Sequence, residues 1–93
     1  MRDVARRPGT REVEIDVLLF GGLREAVGLS RVPVALAEGA SVTDLLDHLG
    51  TQYPPVSVHR PSLAVARNRT LVGRDATLER GDEVALLPPV GGG

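Results

Sequence analysis

A chain of 93 residues suffices for one compact domain and is too short for two. Eleven basic residues nearly balance twelve acidic ones, giving a formal net charge of −1, and the only aromatics are one Phe and one Tyr; electrostatic capture of nucleic acid and base stacking are both disfavoured. Cys is absent, which excludes disulfides and thiolate metal sites, and no apolar run approaches a membrane span.

The first eleven residues carry Arg2, Arg6, Arg7 and Arg11 against Asp3, with Pro8 and Gly9. They lack the apolar stretch of a secretory signal, so a disordered tail and a cytoplasmic location are expected. Val13 to Phe20 then reads as a strand. Val13, Ile15, Val17 and Leu19 share one face, and the other begins with Glu12, Glu14 and Asp16 before turning apolar at Leu18 and Phe20. Gly21-Gly22 breaks the strand, and Leu23 to Val27 fits one helical turn closed by Gly28. Arg31 to Leu36 alternates again through Val32, Val34 and Leu36. Pro33, without an amide N–H, predicts an edge position for it, paired antiparallel to the first strand.

Ser41 opens the best helix, with Asp44 completing a weak capping box. Val42, Leu45, Leu46 and Leu49 follow at i, i+3, i+4 and i+7, one apolar stripe. Pro54-Pro55 requires the helix to stop between Gly50 and Tyr53, and Gln52 to Ser62, with three prolines, is expected to be an irregular crossover. Leu63 to Ala66 is a short strand, Asn68 a turn residue, and Thr70 to Val72 a short returning strand. Leu78 stands alone in a polar loop and is expected to plug one end of the core. Gly81-Asp82 turns the chain into a last strand, Glu83 to Leu87, with Val84 and Leu86 on one face and Ala85 and Leu87 on the other.

One main helix with a single apolar stripe can cover only one face of a mixed sheet of four to five strands, an α+β arrangement. The other face is left open, with Leu18, Phe20, Leu71 and Leu87 on it or at its rim. The expected layout is a tail over 1–11, a domain over 12–87 and an extended arm over 88–93. In that arm Pro88-Pro89 stiffens the root, Val90 follows, and Gly91-Gly92-Gly93 form a tip without side chains that an enzyme could grip closely.

Weaker constellations are read as surface chemistry. Asp44, Asp47 and His48 share one side of the helix at spacings of three and four, and are read as a solvated face rather than a metal site. His59 has no evident partner, and Gly21-Gly22 lacks phosphate-loop spacing. Arg67, Arg69 and Arg74 are expected to pair with surface carboxylates or to meet an acidic partner. All eleven basic residues are Arg, so the chain offers no lysine amine for self-linked chains.

Several segments carry a family resemblance. They are Val17-Leu18-Leu19-Phe20-Gly21-Gly22-Leu23-Arg24-Glu25 with Gly28, Ala66-Arg67-Asn68, Leu78-Glu79-Arg80-Gly81-Asp82-Glu83-Val84, and Pro88-Pro89-Val90-Gly91-Gly92-Gly93. Over about Val13 to Gly93 the chain resembles the small subunit of molybdopterin synthase and its ubiquitin-like sulfur-carrier relatives. The resemblance implies a β-grasp fold and a Gly93 carboxylate that an E1-like adenylating enzyme activates with ATP. A persulfide donor then displaces AMP to leave a thiocarboxylate, and the large subunit of molybdopterin synthase receives the arm. It implies no bound cofactor and no acid–base work by the carrier itself. It also implies an apolar docking patch matching Phe20, Leu71 and Leu87, although for Leu71 a core position is an equal reading. At Leu87, where relatives often carry a bulky aromatic, this chain has an aliphatic residue. A carrier for cysteine or thiamin thiazole synthesis, a ubiquitin-like protein modifier and a pure interaction module are the competing readings.

Overall fold

The computed structural model describes residues 11–89. Residues 1–10 of the tail expected over 1–11, and residues 90–93 of the arm expected over 88–93, lie outside them. Nine elements follow in order: β1 (Glu12–Leu19), α1 (Gly21–Val27), β2 (Arg31–Ala37), α2 (Val42–Gln52), α3 (Pro54–His59), a 3-10 turn (Arg60–Ser62), β3 (Ala64–Arg67), β4 (Thr70–Val72) and β5 (Glu83–Leu87). The five strands form one mixed sheet in the order β2-β1-β5-β3-β4. β5 runs parallel to β1 and antiparallel to β3, and the two outer pairs are antiparallel. This is the expected α+β, ubiquitin-like arrangement, and β2 with its Pro33 is an edge strand as predicted.

Period-two alternation sorts the sheet into two faces. Val13, Ile15, Val17 and Leu19 of β1, Val32, Val34 and Leu36 of β2, Val65 of β3 and Val84 and Leu86 of β5 are all buried on one face. Against it α2 sets its stripe of Val42, Leu45, Leu46 and Leu49, joined by Leu23, Val56, Leu63 and Leu78. Leu78 is 1% exposed and plugs the core as expected. Ser41 caps α2 with a full capping box: its Oγ accepts from the Asp44 amide at 3.2 Å, and its own amide donates to Asp44 Oδ2 at 2.9 Å.

Three local expectations need correction, and one turn that was expected involves a further residue. Gln52 to Ser62 is helical rather than irregular. Pro54 and Pro55 occupy the first positions of α3, where no intrahelical amide donor is needed and the fixed φ suits a helix start. Tyr53, extended because it precedes a proline, separates the two helices, and its amide still closes α2 on the Leu49 carbonyl at 2.7 Å. Gly50 faces Ser57 of α3, and a Cβ there would require the Ser57 hydroxyl to turn away. Second, α1 spans seven residues rather than one turn, and β1 ends at Leu19 with Phe20 as the N-cap position, still extended at φ −132°. Gly28, at φ 87°, terminates α1 as predicted. Third, β3 starts at Ala64 and runs through Arg67. Finally, the β3–β4 hairpin needs positive φ at both Asn68 (50°) and Arg69 (73°), and only the first was legible from residue type.

The Asn68 and Gly81-Asp82 turns are laced together. Asp82, 9% exposed, accepts from the Asn68 side-chain amide at 2.9 Å and from the Glu79 backbone amide at 2.8 Å. Asn68 Oδ1 in turn accepts from the Glu83 amide at 2.9 Å. Replacing Asp82 by Ala strands two donors in a part-buried turn. The expected loss is roughly 1–3 kcal/mol of stability, read from urea unfolding midpoints; a shift within error would show that these bonds are replaced by water without penalty.

Candidate functional site

The face of the sheet away from the helices is covered by none of them, and the register places its residues in rows. Leu18, Ala85, Ala66 and Leu71 are neighbours across β1, β5, β3 and β4. One step further along the strands, Leu87 pairs with Ala64. Phe20 continues the parity of Leu18 just beyond the end of β1. Phe20 is 40% exposed and Leu71 is 68% exposed, while Leu18 and Leu87 are half-buried. Ala66 is small enough for its neighbours to cover it. The three residues expected to form a patch are therefore on one face, and the alternative core position for Leu71 is ruled out: its strand neighbour Val72, paired with Val65, is the one that packs on the core.

The apolar rows end at the point where the chain leaves the sheet. Phe20, Gly21, Ser62, Ala64, Leu87, Pro88 and Pro89 line an open groove of about 510 Å³. Gly21, held at φ 56°, comes so near Pro88 that a Cβ there would stand 3.4 Å from the proline Cγ. The first turn of α1 thus backs the root of the arm. On the other side of the apolar rows the same face becomes charged: Arg31 reaches Asp16 at 3.3 Å and Glu83 at 3.9 Å, with all three side chains well exposed. Exposed pairs like these add little stability and mark a polar border to the patch.

The remaining sequence candidates fall into structural roles. Asp44 belongs to the capping box, and Asp47 pairs with Arg60 at 2.6 Å. Among the described residues no three His, Cys, Asp or Glu side chains are grouped as a metal site. His59 lies at the end of α3, where its carbonyl accepts from Ser62 Oγ at 3.1 Å. Arg67 and Arg74 do not pair with carboxylates as expected. Arg67 donates to the Thr77 carbonyl at 2.6 Å, and Arg74 donates to the carbonyls of Arg60 and Leu63 at 3.0 and 2.8 Å, fastening loops to the body. Sequence reasoning missed Gly21 and Ser62 as parts of the groove; the Gly-Gly pair was the available signal for the former. Among the described residues no helix is long and apolar enough to cross a membrane.

Comparison with known proteins agrees with this geometry. The model of the ThiS family matches residues 17–93. The chain is similar to the molybdopterin synthase sulfur carrier subunit of Escherichia coli (strain K12), 41% identical over 85% of this chain and 99% of that one. It is 35% identical to the subunit of the same description from Mycobacterium tuberculosis, over 87% of this chain and 99% of the other. Among solved structures, the small archaeal modifier protein 1 of H. volcanii superposes with a TM-score of 0.74 at 28% identity, covering 84% of this chain and 99% of that one.

The open face contributes little to stability on this geometry. Leu71→Ser should change unfolding free energy by no more than about 0.5 kcal/mol, whereas Leu86→Ala should cost about 2–5 kcal/mol. Chemical denaturation of both variants checks the contrast; comparable losses would mean that Leu71 is part of the core.

Proposed function

The chain belongs to the ThiS family, and on that premise we propose that it is a sulfur carrier, acting as the small, sulfur-donating subunit of a molybdopterin synthase. One observation supports this reading above the others: the exposed apolar rows of the sheet run directly to the root of the arm at Pro88. A docking surface and a reactive tail are then adjacent, as a carrier that must present its own end to several enzymes requires.

The working group in this reading is the carboxylate of Gly93. A carboxylate is a poor acyl donor. Attack on the α-phosphorus of ATP, in an E1-like adenylating enzyme, releases pyrophosphate and gives an acyl-adenylate with a good leaving group. The terminal sulfur of a persulfide donor attacks the acyl carbon and AMP departs. A second thiol then cleaves the sulfur–sulfur bond and frees the thiocarboxylate. The large subunit of the synthase accepts the arm, and sulfur passes to a cyclic pterin precursor. Pro88 and Pro89 stiffen the root, Val90 follows them in the sequence, and Gly91 and Gly92 offer no side chain to a narrow channel. Phe20, Leu71 and Leu87 dock the body to the activating enzyme and to the large subunit.

The likeness to an archaeal modifier protein favours a second reading, in which the same activated Gly93 is transferred to protein amines. The two readings part at the acceptor. With an activating enzyme, ATP and a persulfide donor, the carrier reading expects an oxygen-to-sulfur mass gain on the C-terminal peptide. Addition of the large subunit and pterin precursor should then reverse that gain. Gly92→Val should abolish the gain or the delivery while leaving the fold intact. A modification mapping elsewhere in the chain would refute the role of Gly93, and amide adducts on other proteins without sulfur transfer would favour the modifier.

A further inference from the structure

One wall of the groove at the arm root is carried by a short, irregular stretch of chain. Ser62 and Ala64 line that groove, and Ala64 pairs with Leu87 across β3 and β5. Ser62 ends the 3-10 turn over Arg60–Ser62, whose start has no side-chain cap. Such turns have poorer hydrogen-bond geometry than an α-helix, and the Leu63 amide closes this one on the Arg60 carbonyl at 3.2 Å. Ser62 and Ala64 are exposed, whereas Leu63 between them is buried and points the other way, into the core.

Arg74 holds this stretch by its backbone. Its Nη2 donates to the Leu63 carbonyl at 2.8 Å and to the Arg60 carbonyl at 3.0 Å. The two acceptors flank Ser62 in the chain, and the second also accepts the turn's own bond. Arg74 is itself fixed, because its carbonyl accepts from the Thr43 amide at 3.0 Å and from Thr43 Oγ1 at 3.1 Å. That amide is one of the helix-start donors that find no partner within α2. A second tie reaches the turn from α2, where Asp47 accepts from the Arg60 guanidinium at 2.6 Å. An unbroken series of contacts therefore runs from the first turn of α2 through Arg74 to the turn that supplies the groove wall.

Resting on the carrier reading, in which a partner seats on this groove, we propose that Arg74 is a positioning residue: it brackets Ser62, fixes the wall made by Ser62 and Ala64, and so sets how closely the adenylating enzyme fits the root of the arm. It acts through the turn rather than by contact. A guanidinium suits the task, since one planar nitrogen presents two N–H groups in fixed directions to two carbonyls, whereas a lysine ammonium is a rotatable point charge.

The test compares the native full chain with R74Q, R74K and D82A. Asp82 secures the turns at the other end of β5, so D82A lowers stability without touching the wall. Amide hydrogen exchange reads the wall in the carrier alone. The reference is the Asn68 amide, which donates to the Glu83 carbonyl at 2.8 Å beside Asp82. The ratio of the Leu63 rate to the Asn68 rate should rise several-fold in R74Q and fall in D82A.

Pyrophosphate release with ATP and the E1-like adenylating enzyme of the same organism reads the consequence. R74Q should raise KM for the carrier about tenfold with kcat within about twofold of native, the signature of weaker seating with unaltered chemistry. D82A should keep the native KM even where its unfolding midpoint is the lower of the two. R74K keeps the charge and loses the fixed fork, so its KM should lie between native and R74Q, and it carries the test if R74Q does not fold. A native KM in R74Q, or in R74K when R74Q does not fold, would overturn the proposal, as would an equal rise in D82A. If the native chain itself released no pyrophosphate, the carrier reading would fail, and the exchange ratio alone would decide whether Arg74 holds the wall; an unchanged ratio would overturn that as well.

Discussion

The last strand is threaded into the middle of the sheet, and the rest of the molecule depends on it. β5 lies between β1 and β3, with Val84 and Leu86 fully buried beneath it. A terminal strand at an edge could fray without loss of the fold; this one cannot be withdrawn without splitting the sheet into two hairpins. Because β5 is parallel to β1, both strands end on the same side, and the chain departs where β1 hands over to Phe20 and α1. The position of the arm, its backing by Gly21 and its closeness to the apolar rows all follow from that one pairing.

The second constraint is one-sidedness. The helices pack on a single face, and the sheet's period of two forces every second residue of the central strands onto the other. Burying a Leu or Phe side chain is worth about 1.5–3 kcal/mol, and this molecule forgoes most of that gain at Leu71 and part of it at Phe20. Gripping Gly91 to Gly93 would in turn fix backbone at about 1–2 kcal/mol per residue, more for glycine than for other residues. The two quantities are of the same size. A partner that covered the open face could therefore offset the ordering of the arm, whereas a partner that touched only the glycines would gain little.

Alternation and capping made most of this legible in the sequence. The two faces of β1, β2 and β5 can be read from residue type, as can the stripe of α2, its Ser41 cap and the Gly28 stop, because each depends on local physics. The helical character of Pro54 to Ser62 could not, since proline signals both a helix break and a helix start, and the burial of Val56 in the core goes with the second. Arg69 adopts positive φ because the hairpin register demands it, not because arginine prefers it. Leu71 was ambiguous for a similar reason: a three-residue strand carries too little alternation to assign its face without knowing which residue of β3 it pairs with. Of the candidate site, the shape of the arm could be read from residue identity, and its chemistry was implied by the family resemblance. The groove came only from the fold, which brings Ser62 and Ala64 beside Leu87 from more than twenty positions away.

The polar interactions are distributed in a way that suits this division. The laced turns of Asn68 and Asp82 lie at the end of β5 away from the arm. Directional bonds hold register there, where hairpins would otherwise slip. Around the arm root the contacts are apolar and open: Phe20, Leu87 and the two prolines surround a groove with only Ser62 among its lining side chains able to hydrogen-bond. An apolar surface of this kind tolerates different geometries, because dispersion and desolvation are not directional, whereas a hydrogen-bonded one would commit the face to a single partner shape. On the proposed function, in which one enzyme charges the protein and another discharges it, the former suits it better. The laced turns thus stand at one end of the central strand and the open apolar groove at the other.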